Sequence, residues 1–87
     1  FSGVLYVDVD GVLRTSKNVP SCECVMMTVW QLPHVECEKA FKCEMLEELE
    51  MYYCDLRQIP REIGKMKKLK KVRLVGMHDL TSIPEEI

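Results

Sequence analysis

The chain has 87 residues, of which 47% are hydrophobic and 30% charged, and its formal net charge is −2 at pH 7. This balance is typical of a folded globular domain and unlike that of a disordered segment. No apolar run approaches the ~20 residues that a membrane-spanning helix needs, so we expect no membrane span. Because the chain begins with Phe1 and not with methionine, we expect it to be part of a larger protein.

The first apolar segment reads VLYVDVDGVL, residues 4–13. Its alternation of apolar and polar residues predicts a β-strand. In this interpretation Val7 and Val9 face the core, and Tyr6, Asp8 and Asp10 face outward.

The same segment resembles the first motif of haloacid-dehalogenase-type phosphatases, in which an apolar strand precedes D-x-D-G. The resemblance implies that Asp8 attacks phosphorus, that Asp10 serves as acid and base, and that magnesium neutralises their charge. Such an enzyme needs a longer doubly wound domain, a later lysine and a further acidic pair, and the sequence offers none of these in a convincing context. A phosphatase fragment is therefore the alternative, and we expect no enzyme.

The next segment is rich in cysteine. The five cysteines are Cys22, Cys24, Cys37, Cys43 and Cys54. An odd number without a secretory leader favours reduced thiols in an intracellular, cytoplasmic setting. The first four could be imagined around zinc, but their spacing differs from the usual C-x2-C pairs, so we expect no metal and no cofactor.

Residues 27–35 carry apolar side chains at offsets of 0, 3, 5 and 8, as residues 4–12 do. The matching positions predict that Met27, Trp30, Leu32 and Val35 point inward. The segment EKAFKCEMLEELEM also has helical periodicity, which makes a helix over residues 38–47 the competing prediction.

Residues 46–63 and 69–87 repeat one pattern. Leu46, Leu49, Met51 and Cys54 match Leu69, Val72, Leu74 and Met77, and Leu56, Ile59, Pro60, Glu62 and Ile63 match Leu80, Ile83, Pro84, Glu86 and Ile87. Pro60 argues against one long helix here, because a proline inside a helix removes a hydrogen bond and clashes with the preceding turn. A period of 23 to 24 residues in this order indicates a leucine-rich repeat.

These observations predict an α/β solenoid of the leucine-rich-repeat type, with short parallel strands on a concave face and irregular or short helical convex segments. Residues 1–87 would form one unit of about four irregular repeats that start near residues 4, 27, 46 and 69. Leu49 and Met51 would face the core, and the Cys54 side chain would satisfy backbone groups in the interior.

Residues 45–87 resemble the closing repeats of plant intracellular immune receptors, the nucleotide-binding leucine-rich-repeat class. The resemblance implies a non-catalytic module that takes part in effector sensing and autoinhibition, with a pathogen protein or a neighbouring domain as its partner. The phosphate-binding loop of that class does not occur in this sequence. A purely structural solenoid cap is a further alternative.

The predicted concave face places outward strand residues in adjacent rows, in which Glu48 faces Lys71 and Glu50 faces Arg73. In the same rows Val29 lies beside Glu48. The candidate partner-binding residues are Tyr6, Asp8, Asp10, Glu48, Glu50, Tyr52, Lys71 and Arg73. The basic stretch at residues 65–73 lacks interleaved aromatic residues, so it favours a solvated surface and no nucleic-acid partner.

Overall fold

The structure, a computed structural model, describes residues 1–21 and 23–81. These residues form one five-stranded sheet with short helical segments packed on one of its faces. In chain order the elements are β1 (Gly3–Asp8), β2 (Leu13–Ser16), β3 (Cys24–Trp30), helix α1 (His34–Glu38), a 3-10 helix (Lys39–Lys42), β4 (Glu48–Tyr52), a second 3-10 helix (Arg61–Lys65) and β5 (Lys71–Val75).

The sheet is mixed, and this overturns the predicted leucine-rich-repeat solenoid. Its strand order is β2-β1-β3-β4-β5. Strand β1 runs antiparallel to both of its neighbours, whereas β3, β4 and β5 run parallel to one another. A stack of like repeats would make every strand parallel, so the fold is a compact mixed sheet and the prediction is wrong.

The turn after β1 explains this difference. The Gly11 N–H donates to the Asp8 carbonyl at 2.9 Å, and Gly11 has a φ of +83°. After so short a connection the next strand can pair with β1 only in the antiparallel direction, since a parallel crossover needs about a dozen residues or more. The hairpin that results occupies the place of the predicted first repeat.

The predicted register of the last two strands is confirmed. Glu48 lies opposite Lys71, and Glu50 lies opposite Arg73. The predicted place of β3 is wrong, because Met26 and not Val29 lies opposite Glu48. Strand β3 begins at Cys24, which is fully buried, so this cysteine takes the position that the sequence alignment gave to Met27.

The core lies between the sheet and the helical segments. Leu49 and Met51 of β4 point into it, as predicted, beside Met27 and Val29 of β3. The opposite side of the core is formed by buried residues of the connecting segments, which are Cys37, Ala40, Phe41, Leu46, Leu56, Ile59, Ile63 and Met66. A single cluster thus joins both layers.

The connecting segments are only briefly helical. The predicted competing helix over residues 38–47 is not observed, because the helical turns end at Lys42 and Cys43 is extended (φ −85°, ψ 92°). Pro60 is likewise extended (φ −61°, ψ 147°) and precedes the second 3-10 helix, which agrees with its predicted effect. Among the described residues no helix is long and apolar enough to cross a lipid bilayer. The matched positions 83–87 lie outside the described residues.

Candidate functional site

The face of the sheet that points away from the core is called the outer face here. Alternate residues of each strand lie on it, since side chains along a strand alternate between the two faces. Met26 is 42% exposed and Leu13 62% exposed, so this face is open to solvent. The outer-face residues are Leu5, Val7, Leu13, Thr15, Met26, Thr28, Trp30, Glu48, Glu50, Tyr52, Lys71, Arg73 and Val75.

Five of the eight predicted partner-binding residues lie together on this face. Glu48, Glu50 and Tyr52 follow one another along β4, and Lys71 and Arg73 lie on β5 beside them. Their arrangement in adjacent rows follows from the parallel pairing of the two strands. This part of the candidate site is brought together by the structure.

The other three predicted residues lie elsewhere. Tyr6 pairs with buried Met27 and packs against the core, and Asp8 and Asp10 lie at the end of β1 and in the turn that follows. The predicted inward positions of Val7 and Val9 are also wrong, since Val7 lies on the outer face and Val9 is 57% exposed. The core side of β1 carries Val4 and Tyr6, so its inside-outside alternation is one residue out of phase with the prediction.

An aromatic row crosses the outer face. Trp30 and Tyr52 are opposite each other in the ladder, and their rings stack with centroids 6.0 Å apart and an interplanar angle of 17°. Phe1 meets the Trp30 ring edge-on at 5.4 Å and is 76% exposed. The predicted inward position of Trp30 is therefore wrong. If Cys24 is taken as the first buried residue of the strand, Met27 and Val29 are its next buried residues. Trp30, which follows Val29, then lies on the outer face.

A polar cluster adjoins this row. The Tyr52 hydroxyl donates to Glu50 Oε1 at 2.8 Å, and Lys71 Nζ lies 3.5 Å from Glu50 Oε2. The Tyr52 hydrogen bond, followed by the Lys71 ammonium, lowers the pKa of Glu50 below its usual value. The same hydrogen bond raises the pKa of Tyr52. The cluster thus fixes the Tyr52 ring against Trp30 while leaving Arg73 available on the neighbouring strand.

The Glu50 cluster gives a pH-dependent contribution to stability. Because folding lowers the pKa of Glu50, its contribution is present above the unfolded-state pKa of about 4.3 and is lost as the pH falls through the folded-state pKa. We expect Glu50→Gln to lower the free energy of unfolding at pH 7 and to match the wild type at strongly acid pH. Urea denaturation at both pH values measures this. Glu48→Gln is the control, since among the described residues its carboxylate contacts no hydroxyl or ammonium group.

The carboxylates of Asp8 and Asp10 hold the hairpin. Arg14 Nε lies 2.9 Å from Asp8 Oδ2, and Arg14 Nη2 lies 3.2 Å from Asp10 Oδ2. Asp10 Oδ1 also accepts the Val12 N–H at 2.9 Å. A hydrogen bond with Asp8, the Val12 amide and the Arg14 guanidinium together lower the pKa of Asp10. The carboxylates therefore serve the turn and its guanidinium, and their geometry adds no argument for phosphoryl transfer.

Two buried cysteines, Cys37 and Cys54, contact backbone carbonyls in the interior. Cys37 Sγ lies 3.4 Å from the Leu32 carbonyl, and Cys54 Sγ lies 3.5 Å from the Tyr52 carbonyl, which confirms the prediction that the Cys54 side chain satisfies backbone groups. A hydrogen bond with Cys54, together with burial, raises the pKa of the Cys37 thiol. No group of three or more His, Cys, Asp or Glu in residues 1–21 and 23–81 could hold a metal ion. Cys22, part of the imagined zinc set, lies outside those ranges.

A residue with a left-handed backbone conformation follows each of the three parallel strands. These residues are Gln31 (φ 52°), Tyr53 (φ 55°) and Gly76 (φ 66°). The Tyr53 ring lies so close to Gly76 that a Cβ on the glycine would be 2.3 Å from it. Since Tyr53 is also 55% exposed, it provides a further aromatic side chain at the end of β4.

A groove of about 530 Å³ lies away from the outer face, beside the start of β3. Two lysines and two glutamates line part of it, Lys39, Lys42, Glu23 and Glu44. Since the opposite charges are balanced, the groove has no evident preference for an anion or a cation.

Comparison with protein-family models, with curated proteins and with solved structures gave no match for this chain.

Proposed function

We propose that this chain is a non-catalytic protein-recognition domain whose outer face binds a partner protein. The observation that supports the proposal is the aromatic row of Phe1, Trp30 and Tyr52 on an open sheet face. Aromatic side chains supply a large share of the binding energy at protein interfaces, and they lose little conformational entropy on binding.

The row has the features of an interface anchor. The Trp30 and Tyr52 rings support each other by stacking, so their orientation is set before a partner arrives. Exposed Met26 lies on the same strand as Trp30 and extends the apolar area toward the hairpin. An apolar centre of this kind would exclude water from a contact and so strengthen the polar interactions around it.

The charged residues beside the row would orient the partner. Glu48 and Glu50 lie on one strand and Lys71 and Arg73 on the next, so the face presents an acidic row next to a basic row. Opposed charges at the rim of an interface contribute more to specificity and association rate than to affinity. A complementary partner would carry the reverse order of charges.

Within this proposal the partner is a pathogen protein or a neighbouring domain of the same polypeptide, in a cytoplasmic setting. This part rests only on the resemblance of residues 45–87 to plant immune receptors. A partner can shift such a receptor between states only if it binds one arrangement of the domains better than the other.

The test uses binders selected from a phage-displayed peptide library against the whole chain. We expect Trp30→Ala to weaken most selected binders by about 30-fold, which corresponds to roughly 2 kcal/mol. Val35→Ala is the matched control, since Val35 is 70% exposed but belongs to α1 on the other side of the molecule. Circular dichroism and isothermal titration calorimetry would verify folding and measure affinity.

The result also separates the alternatives. Binders that ignore Trp30→Ala but respond to Val35→Ala would contradict the proposal. If selection yields no binder that depends on the outer face, and reversing the charges of Glu50 and Arg73 changes no affinity, a purely structural cap is the better interpretation.

A further inference from the structure

Among the described strands, β5 forms one edge of the sheet. The Lys71 N–H donates to the Glu47 carbonyl at 3.2 Å, and the Val75 carbonyl accepts the Tyr53 N–H at 2.8 Å. Alternate residues of a parallel strand bond to a given neighbour. The N–H and C=O groups of Val72 and Leu74 therefore point away from β4, toward a side where the described residues place no further strand.

Residues 76–81, which follow β5, do not return along this edge. Gly76 turns the backbone with a φ of +66°, and the Thr81 N–H and Oγ1 both donate to the Arg57 carbonyl, at 3.0 and 3.2 Å. Thr81 thus lies beside the segment that follows β4, and Met77 and Leu80 pack against the core. No residue in the described part of the chain pairs with the edge-facing backbone groups of β5.

The core side of this edge is incompletely buried. Val72 is 36% exposed, whereas its ladder partner Leu49 is fully buried. Leu74 is half-buried, while its partner Met51 is fully buried. An added strand with apolar side chains on this side would extend the core over Val72 and Leu74.

The charge around the edge is strongly positive. Residues 65–73 contain six basic residues and no acidic one. Lys70 lies 3.4 Å from Glu47 and Lys71 lies 3.5 Å from Glu50, and the other basic residues of this stretch form no ion pair within the part of the chain that the structure describes. Like charges repel a second copy of β5, as lysines on edge strands generally do. The same charges attract an acidic strand.

We propose that β5 binds an extended acidic peptide segment as a sixth strand of the sheet. Its acidic side chains lie on the outer face beside Lys71 and Arg73, and its apolar side chains lie on the core side beside Val72 and Leu74. Strands in a ladder are about 4.8 Å apart, which brings carboxylates within reach of both bases. Backbone hydrogen bonds supply affinity, and the alternating side chains supply specificity. This surface shares Lys71 and Arg73 with the outer face, but it uses the backbone edge of β5 and not the aromatic row.

The probe is the heptapeptide Glu-Val-Glu-Val-Glu-Val-Glu-amide with fluorescein on its amino terminus, and its binding to the whole chain is measured by fluorescence anisotropy. We expect binding at low salt that weakens as salt rises, because exposed charges are screened. Two further probes have the same charge, and each carries N-methyl groups on one of the two sets of alternate amides, which are the two registers. In one register, the ladder register, the methylated amides are those that face β5. We expect the probe in the ladder register to bind about tenfold more weakly, since it cannot donate to the edge.

Variants of the chain test the backbone hydrogen bonds and the charge attraction separately. Val72→Pro removes an edge N–H that β4 does not use, and we expect about a tenfold loss, whereas Val72→Thr keeps the N–H and should stay within about twofold. Charge reversal at Lys67 and Lys68 should weaken the probe about tenfold. Trp30→Ala should leave this binding unchanged, which distinguishes binding at the β5 edge from binding at the aromatic row.

Four outcomes would overturn the proposal. These are no binding of the acidic probe at low salt, equal binding of the plain probe and of N-methyl probes in either register, loss of binding in Trp30→Ala, and tighter binding of a dT20 oligonucleotide with the same dependence on Lys67 and Lys68. The last result would assign the basic stretch to nucleic acid. If Val72→Pro does not fold, the N-methyl probes on the wild type give the decisive comparison.

Discussion

Replacing Phe41 by alanine should lower the free energy of unfolding by about 3–5 kcal/mol, the range for a buried phenylalanine that leaves a cavity. Phe41 is 1% exposed and lies in the first 3-10 helix, where its ring joins the single core cluster beneath the sheet. A domain of this size has a total stability of roughly 5–15 kcal/mol, so the loss is a large fraction of it. Thermal unfolding followed by circular dichroism should show a fall in Tm of roughly 12–40 °C.

The control for this variant is Val35→Ala. Val35 lies in the adjacent helix α1 and is 70% exposed, so its truncation should change stability by less than about 0.5 kcal/mol. Phe41→Leu should recover much of the loss, since it retains most of the buried volume. Equal melting temperatures for Phe41→Ala and Val35→Ala would show that the helical layer does not pack on the sheet as described.

Gly3→Ala should be strongly destabilising, with a loss of roughly 3 kcal/mol or more. Gly3 has a φ of +149°, and a Cβ there would lie 2.6 Å from the Ser16 carbonyl oxygen of β2. The atom in the way belongs to the backbone, so it cannot be relieved by a side-chain rotation. The added methyl must separate β1 from β2, and urea denaturation would measure the resulting loss.

Gly11→Ala measures the cost of a positive φ without a steric clash, so it separates the two causes of the loss in Gly3→Ala. Gly11 also has a positive φ, +83°, but a Cβ there would meet nothing within 4 Å. We expect a loss of about 1 kcal/mol for this variant, from backbone strain alone. If the two variants lost the same stability, the close approach of β1 and β2 at Ser16 would be contradicted.

The sequence was informative where two segments carry the same pattern. Leu49-x-Met51 and Val72-x-Leu74 alternate at equal spacing, and burial of one face permits a single register, because a slip of one residue would turn every side chain to the wrong face. The pairing of Glu48 with Lys71 follows directly from this constraint. The five candidate residues on β4 and β5 could therefore be placed correctly without coordinates.

The sequence was misleading at β1. Alternation along a strand indicates its two faces but contains no information about its direction, and antiparallel and parallel strands share the same period. The signal for reversal was local, since Asp8, Asp10 and Gly11 are residues that favour a tight turn. That signal also explains why the two aspartates lie with Arg14 in the hairpin and not on the predicted face.

Trp30 shows how a small error in register changes an assignment of function. Strand β3 aligns three residues from its predicted position, and an odd shift exchanges the two faces of a strand. The sequence therefore predicts the one tryptophan of the chain in the core, whereas the structure places it on the outer face. The aromatic row was missed for that reason, although the sequence places Tyr52 correctly at an outward strand position.

The connections between the parallel strands imply an order of assembly. Residues 31–47 and 53–70 must each cross the core before β3 can meet β4 and β4 can meet β5, whereas β1 and β2 are joined by a tight turn. Closing a long segment loses more chain entropy than closing a short one, and contacts distant in sequence slow folding. The amino-terminal hairpin should thus become structured early, even during synthesis, and the carboxyl-terminal strand should be the last to dock.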